Sequence, residues 1–206
     1  MDISETSPEE RFHSNVVDLA ELVHELVQMV SDRGFQIIAP NLIQFAMVVL
    51  KNSSASKLIR TFIKYSHEHW GEVKRKNESF FDEHAMTIFK DLPVDTKNIN
   101  AFKQLFTLKD TGGRPVISQD DKEAIWLFFD TLIKISIKYI HSNRHPILVH
   151  RITKQTLSPE KHSLIVDASM ASQWEVKYQV EFFPEINLEE QASIWNVRLD
   201  FKCPES

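Results

Sequence analysis

Several things are scarce in this 206-residue chain, and each scarcity excludes something. There is one cysteine, Cys203, so no intrachain disulfide and no Cys-rich zinc site can form. A reducing compartment is the simplest reading of that economy. Only four glycines are present, which fits a helix-rich chain with short turns. The longest apolar run, Leu42 to Leu50 with Gln44 inside it, is too short to span a bilayer. Nor is positive charge in excess. The 24 basic and 29 acidic residues leave a net charge of −5, which offers duplex nucleic acid no broad footprint. The stretch MDISETSPEERF is acidic and lacks an apolar centre, so it does not read as a signal peptide. Neither Asp2 nor Cys203-Pro204-Glu205-Ser206 fits a lipidation motif. The expectation is a cytoplasmic or otherwise intracellular protein with no membrane partner and no cofactor.

What is present reads first as helices. Ser7-Pro8-Glu9-Glu10 is a helix start: a serine cap, proline at the first position and acids at the positive end of the dipole. Val16, Leu19, Ala20, Val23, Leu26, Val27 and Val30 follow at helical spacing, and Gly34 ends the run. A second helix is predicted from Pro40 to about Lys51, with Asn41 as cap, and a third from about Ala55 towards Lys76. Further helices are expected over Glu78–Phe89 and Asn98–Leu108, followed by a turn at Thr111–Pro115. The clearest helix is capped by Ser118 and runs to about His141. Ile125, Phe128, Phe129, Leu132, Ile135 and Tyr139 form its inner face, with Trp126 at the rim and Leu127 on the wet side.

After His145-Pro146 the pattern changes. Ile147–Ile152 and Ser163–Ala168 are short apolar runs with strand character. Trp174, Val176, Tyr178, Val180 and Phe182 alternate with polar residues, and so do Trp195, Val197, Leu199, Phe201 and Cys203. Pairing these two segments antiparallel with Tyr178 opposite Leu199 sets Trp174 against Cys203 and Phe182 against Trp195. The same register sets Glu175 against Lys202 and Lys177 against Asp200, so both faces are satisfied at once. The expected fold is α+β. A bundle of about six helices over residues 1–145 precedes a small antiparallel β region over 146–206, packed on the bundle or integrated with it.

Candidate chemistry is sparse. His67-Glu68-His69 and Asp82-Glu83-His84 suggest metal ligands for a metal-dependent hydrolase, using His67, His69, Asp82 and His84. On a helix, however, His67 and His69 point to different faces. Lys57, Arg60 and Lys64 share a helical face, with Lys74 beyond it, and could track a phosphate backbone; an ordinary solvated face is the preferred explanation. No G-x-S-x-G elbow or Walker loop occurs, and Cys203 reads as a packing residue.

Phe62 to Trp70, then Glu78-Ser79-Phe80-Phe81 and Ile88-Phe89, and also Ile125-Trp126 with Leu132 to Ile140, resemble segments of uncharacterised helical proteins of large DNA viruses. The resemblance covers about the middle half of the chain and rests on aromatic packing positions. It implies a virus-encoded chain working in a host cell, and brings no activity or site residues. The functional expectation is a non-enzymatic interaction or scaffold protein. Its partner, a protein or a second copy, would engage an apolar rim or a sheet edge through Trp126, Leu127, Trp174 or Trp195. Nucleic acid is the less favoured partner.

Overall fold

A computed structural model of the chain describes residues 6–35, 40–79, 105–157 and 173–199. The fold is α+β, with helices dominating the N-terminal part and a small antiparallel sheet towards the C-terminus. The expected elements at 80–104 and 163–168, and the segment 200–203, lie outside the described residues. The chain divides into two compact units, Met1–Ser136 and Ile137–Ser206, with the boundary inside its long helix.

In the first unit, α1 spans Pro8–Asp32. Ser7 Oγ accepts the Glu10 N–H at 3.2 Å, while Glu10 Oε2 accepts the Ser7 N–H at 3.1 Å. This reciprocal pair satisfies two donors that a helix start leaves open. At the other end Gly34 takes φ +86°. Its N–H and that of Phe35 reach back to the carbonyls of Ser31 and Val30, closing a Schellman turn. α2 spans Pro40–Lys51, so Asn41 lies inside the helix rather than capping it. α3 spans Ala55–Ser66 and buries Leu58, Ile59, Phe62 and Ile63. The Phe62 ring lies against Phe12 of α1, with centroids 5.3 Å apart.

The helix expected to continue to Lys76 is broken. His67–His69 form a 3-10 turn before α4, Trp70–Lys74. His67 Nδ1 donates to the Ile63 carbonyl at 3.1 Å, and the His67 backbone N–H goes to the same carbonyl. A side chain competing for a ladder acceptor weakens the α-turn there. Across the break, Trp70 is buried and its indole N–H donates to Ser66 Oγ at 2.9 Å.

α5 spans Gln119–Ser142. Ser118 Oγ accepts the Asp121 N–H at 3.1 Å, and Asp121 Oδ2 accepts the Ser118 N–H at 2.8 Å, which places its start where the sequence puts it. Ile125, Phe129, Leu132 and Ile135 are buried as expected, with Ile133 beside them. Lys122 in the first turn is buried too. Its ammonium reaches Glu78 Oε2 at 2.8 Å and sits 5.9 Å from the Phe106 ring centroid. Lys76 pairs with Glu123 alongside.

In the second unit, β1 (Arg144–His150), β2 (Thr156–Leu157) and β3 (Trp174–Val180) form a sheet in the order β2-β1-β3. Both pairings are antiparallel. β3 pairs with β1, setting Tyr178 against Pro146 and Trp174 against His150. The partner expected at 195–203 does not begin as a strand. Residues Leu188–Ile194 are α6, and Trp195 is its C-cap. Asn187 caps the start by accepting the Glu190 N–H at 3.3 Å. At the end Asn196 takes φ +53°, its N–H reaching Ser193 O at 3.3 Å and that of Val197 reaching Ala192 O at 2.8 Å. That is a full Schellman closure, and it cannot coexist with a strand through 195–197. Val197 to Leu199 form no ladder. Phe182, expected opposite Trp195, stacks on Tyr139 with centroids 6.4 Å apart. Ile137, Tyr139, Ile140, Val149, Ile186, Leu188, Ala192 and Trp195 are buried in this unit.

Candidate functional site

The four residues proposed for an interface separate sharply. Trp126 is 3% exposed, wedged edge-on against Phe106 with centroids 6.0 Å apart and beside Phe129. Trp195 is 1% exposed. Both are core residues, so neither forms a rim. Leu127 is 66% exposed on α5, and Asp130 and Lys134 further along the helix pair at 2.6 Å. Trp174 is half-buried at the start of β3, its ring edge-on to His150 at 5.1 Å.

Lys57, Arg60, Lys64 and Lys74 are exposed. Lys64 Nζ donates to the Tyr65 hydroxyl at 3.0 Å. His67 and His69 sit in the 3-10 turn, while Asp82 and His84 lie outside the described residues. Among the described residues no three of His, Cys, Asp and Glu are grouped to hold a metal ion. A groove of 530 Å³ runs along the end of α1 between His24 and Arg33, and among the described residues its lining comes from that single helix and its cap. Among the described residues, no helix is long and apolar enough to cross a membrane.

The sheet edge is the feature with defined geometry. Arg151 N–H donates to Gln173 O at 2.8 Å and Glu181 N–H to Asn143 O at 2.9 Å, both in the register of the β1–β3 ladder. Antiparallel ladders bond through alternate residues, so Glu175, Lys177 and Gln179 turn their amides towards β1. The N–H and C=O groups of Trp174, Val176, Tyr178 and Val180 then point the other way. Among the described residues no strand takes them up, and β3 is the edge of the described part of the sheet.

Side chains along this edge are braced from β1. Arg144 lies over the Tyr178 ring, 4.4 Å from its centroid, and Tyr178 remains 42% exposed. Lys177 pairs with Glu175 at 3.1 Å. The hydrogen bond from Lys177, with the charges of Lys177, Lys154 and Arg151, holds the Glu175 carboxyl below its ordinary range against the opposing effect of desolvation. The edge therefore carries one lasting negative charge beside one positive charge, two residues apart.

The turn next to it is tightly held. His150 Nδ1 accepts the N–H of Ile152 at 3.3 Å and of Thr153 at 3.1 Å. The ring proton is thereby assigned to Nε2, which donates to Gln173 Oε1 at 3.2 Å. Lys154 at φ +60° completes the turn, and Ile152 stands 83% exposed at its tip.

Sequence reasoning identified β3 and its alternation but gave it the wrong neighbour. Glu175, Lys177 and Tyr178 were visible as strand residues; their place on an edge was not. No family model matches this chain, and no curated protein or solved structure does either.

Proposed function

We propose that the protein is a non-enzymatic interaction or scaffold protein that takes a partner strand onto the edge of β3. The observation that carries this is the row of outward amides at Trp174, Val176 and Tyr178, with no neighbouring strand among the described residues. Strand addition gains affinity from such main-chain groups and specificity from the side chains that alternate between them. Trp174 and Tyr178 supply aromatic area at the two ends of the row, which suits an anchoring role. With Trp126 and Trp195 in the core, the sheet edge is the better supported of the two expected surfaces. The likeness to helical proteins of large DNA viruses would place that contact in a host cell.

Amide hydrogen exchange by NMR on dilute protein tests the reading. The amides of Glu175, Lys177 and Gln179 should exchange slowly, and those of Val176 and Tyr178 fast, in strict alternation. Equal protection of both sets in the dilute protein would mean that the chain covers its own edge, and the proposal would fail.

A further inference from the structure

The turn between β1 and β2 is fastened by one uncharged ring. His150 Nδ1 accepts the N–H of Ile152 at 3.3 Å and that of Thr153 at 3.1 Å. A ring nitrogen accepts only while it carries no proton. The opposite nitrogen, Nε2, donates to Gln173 Oε1 at 3.2 Å, and the ring stands edge-on to Trp174 with centroids 5.1 Å apart. Gln173 and Trp174 thus set the orientation of the ring, and the ring sets the tip of the turn.

We propose that His150 is a proton-operated latch: its neutral ring keeps the tip of the turn in order, and uptake of a proton sets the tip free. Histidine is the side chain suited to change charge between about pH 5 and 8. A proton on Nδ1 converts the acceptor of two N–H groups into a third donor aimed at them. Both hydrogen bonds are then lost. Turning the ring over does not restore them, because both nitrogens of the charged ring are donors. Charge acts in the same direction. The charged groups that the described elements bring to this turn are Arg151 and Lys154 from its own backbone, and Glu175 with Lys177 from β3. β2, Thr156–Leu157, brings none. Lys177 offsets the Glu175 carboxylate at 3.1 Å, so the remaining balance is positive and a charged ring adds to it.

Only the tip is released. His150 N–H donates to Gln155 O at 2.8 Å, Lys154 N–H to His150 O at 2.9 Å, and Arg151 N–H to Gln173 O at 2.8 Å. None of these bonds involves the ring, so the base of the turn stays closed in either charge state. What changes is Ile152 and Thr153. Ile152 is 83% exposed, more than any other large apolar residue among those described. The latch therefore sets with pH whether that side chain is held in one place or spread over many. An ordered tip spares a contact the entropy of ordering it, so a contact made by Ile152 is favoured at neutral pH and weakened in acid.

Nitrogen-15 NMR on the full chain, titrated from about pH 7.5 to about 4.5, is the test. At the neutral end the His150 ring should be the Nε2–H tautomer, and the Ile152 and Thr153 amides should have order parameters of about 0.85. Those two values should fall below about 0.6 in step with protonation of the ring, while Arg151 and Gln155 keep theirs. His150→Asn supplies an oxygen that can accept the N–H two residues on and takes up no proton, so its tip should show the same order at both ends of the range. His145→Asn removes the histidine that meets Glu181 at 3.3 Å at the other end of β1, and should leave the wild-type response unchanged. A tip that keeps its order throughout the titration overturns the latch, whether or not the ring has been protonated. So does an Nδ1–H tautomer at neutral pH. A His150→Asn tip that loosens in acid as the wild type does also overturns it, by placing the responsible group elsewhere.

Discussion

Removing Glu78 should destabilise the first unit more than removing Lys122, although the two residues share one ion pair. The Lys122 ammonium is 2.8 Å from Glu78 Oε2 and the residue is only 7% exposed, with the Phe106 ring near its charge. The Glu78 side chain is 43% exposed. In Glu78→Ala the ammonium keeps its buried position and loses its counter-charge. A fully buried ion left this way costs about 3–5 kcal/mol. An exposed pair contributes only about 0–1 kcal/mol. Water reaches the Glu78 side of this pair, so the expected loss is intermediate, about 1–2 kcal/mol. In Lys122→Met the stem that fills the same space is retained and no charge is stranded, so the change should stay within about 1 kcal/mol of zero. The double variant should match Lys122→Met. Urea unfolding followed by circular dichroism at 222 nm measures all three. For a chain of this length the Glu78→Ala loss corresponds to a melting temperature lowered by about 3–6 °C. If Lys122→Met proves the more damaging change, the pair is acting as a net attraction between solvated charges, and the burial argument is wrong.

Two further outcomes follow from local geometry. Asn196→Val places a β-branched residue at φ +53° in the closure of α6 and should cost about 1–2 kcal/mol, whereas Asn196→Gly should be neutral or slightly stabilising; thermal melts of both variants check the order. Glu72, Asp110, Glu123 and Glu175 are all held below ordinary carboxylate values, chiefly by hydrogen bonds from Asn77, the Arg114 backbone, Lys76 and Lys177 respectively. With folded values below those of the unfolded chain, they favour folding above the unfolded pKa and lose that contribution as pH falls through the folded one. The melting temperature should be nearly flat from about pH 7 to 5 and drop below about pH 4, less steeply in Glu123→Gln; a rise on acidification would contradict the assignment.

The helices were legible where a cap and a long apolar stripe agreed. Ser7 with Glu10 and Ser118 with Asp121 marked the starts of α1 and α5, and both pairs form the expected reciprocal bonds. Trp126 was misplaced at the rim because a helical wheel shows only one helix. Phe106 and Phe129 widen the buried arc until it includes Trp126. The strand expected at 195–203 failed for a different reason. Its alternation is short, and a short apolar pattern does not discriminate helix from strand. The opposing signal was present: Asn187 followed by Glu190, then Leu188, Ala192 and Trp195 at helical spacing. Of the candidate site, Trp174 and the alternation of β3 could be read, but not the edge itself.

What the sequence alone determined is therefore local: capped helices, the strand at 174–180, the single cysteine, the balance of charge. These depend on dihedral preferences and on periodicities that reside in neighbouring residues. The tertiary structure decided the partner of β3. Alternation states which face of a strand is apolar but not which strand lies beside it. Asn187 and Asn196 close 188–194 into a helix, which removes the start of the strand expected at 195–203, while the chain's return brings β1 beside β3.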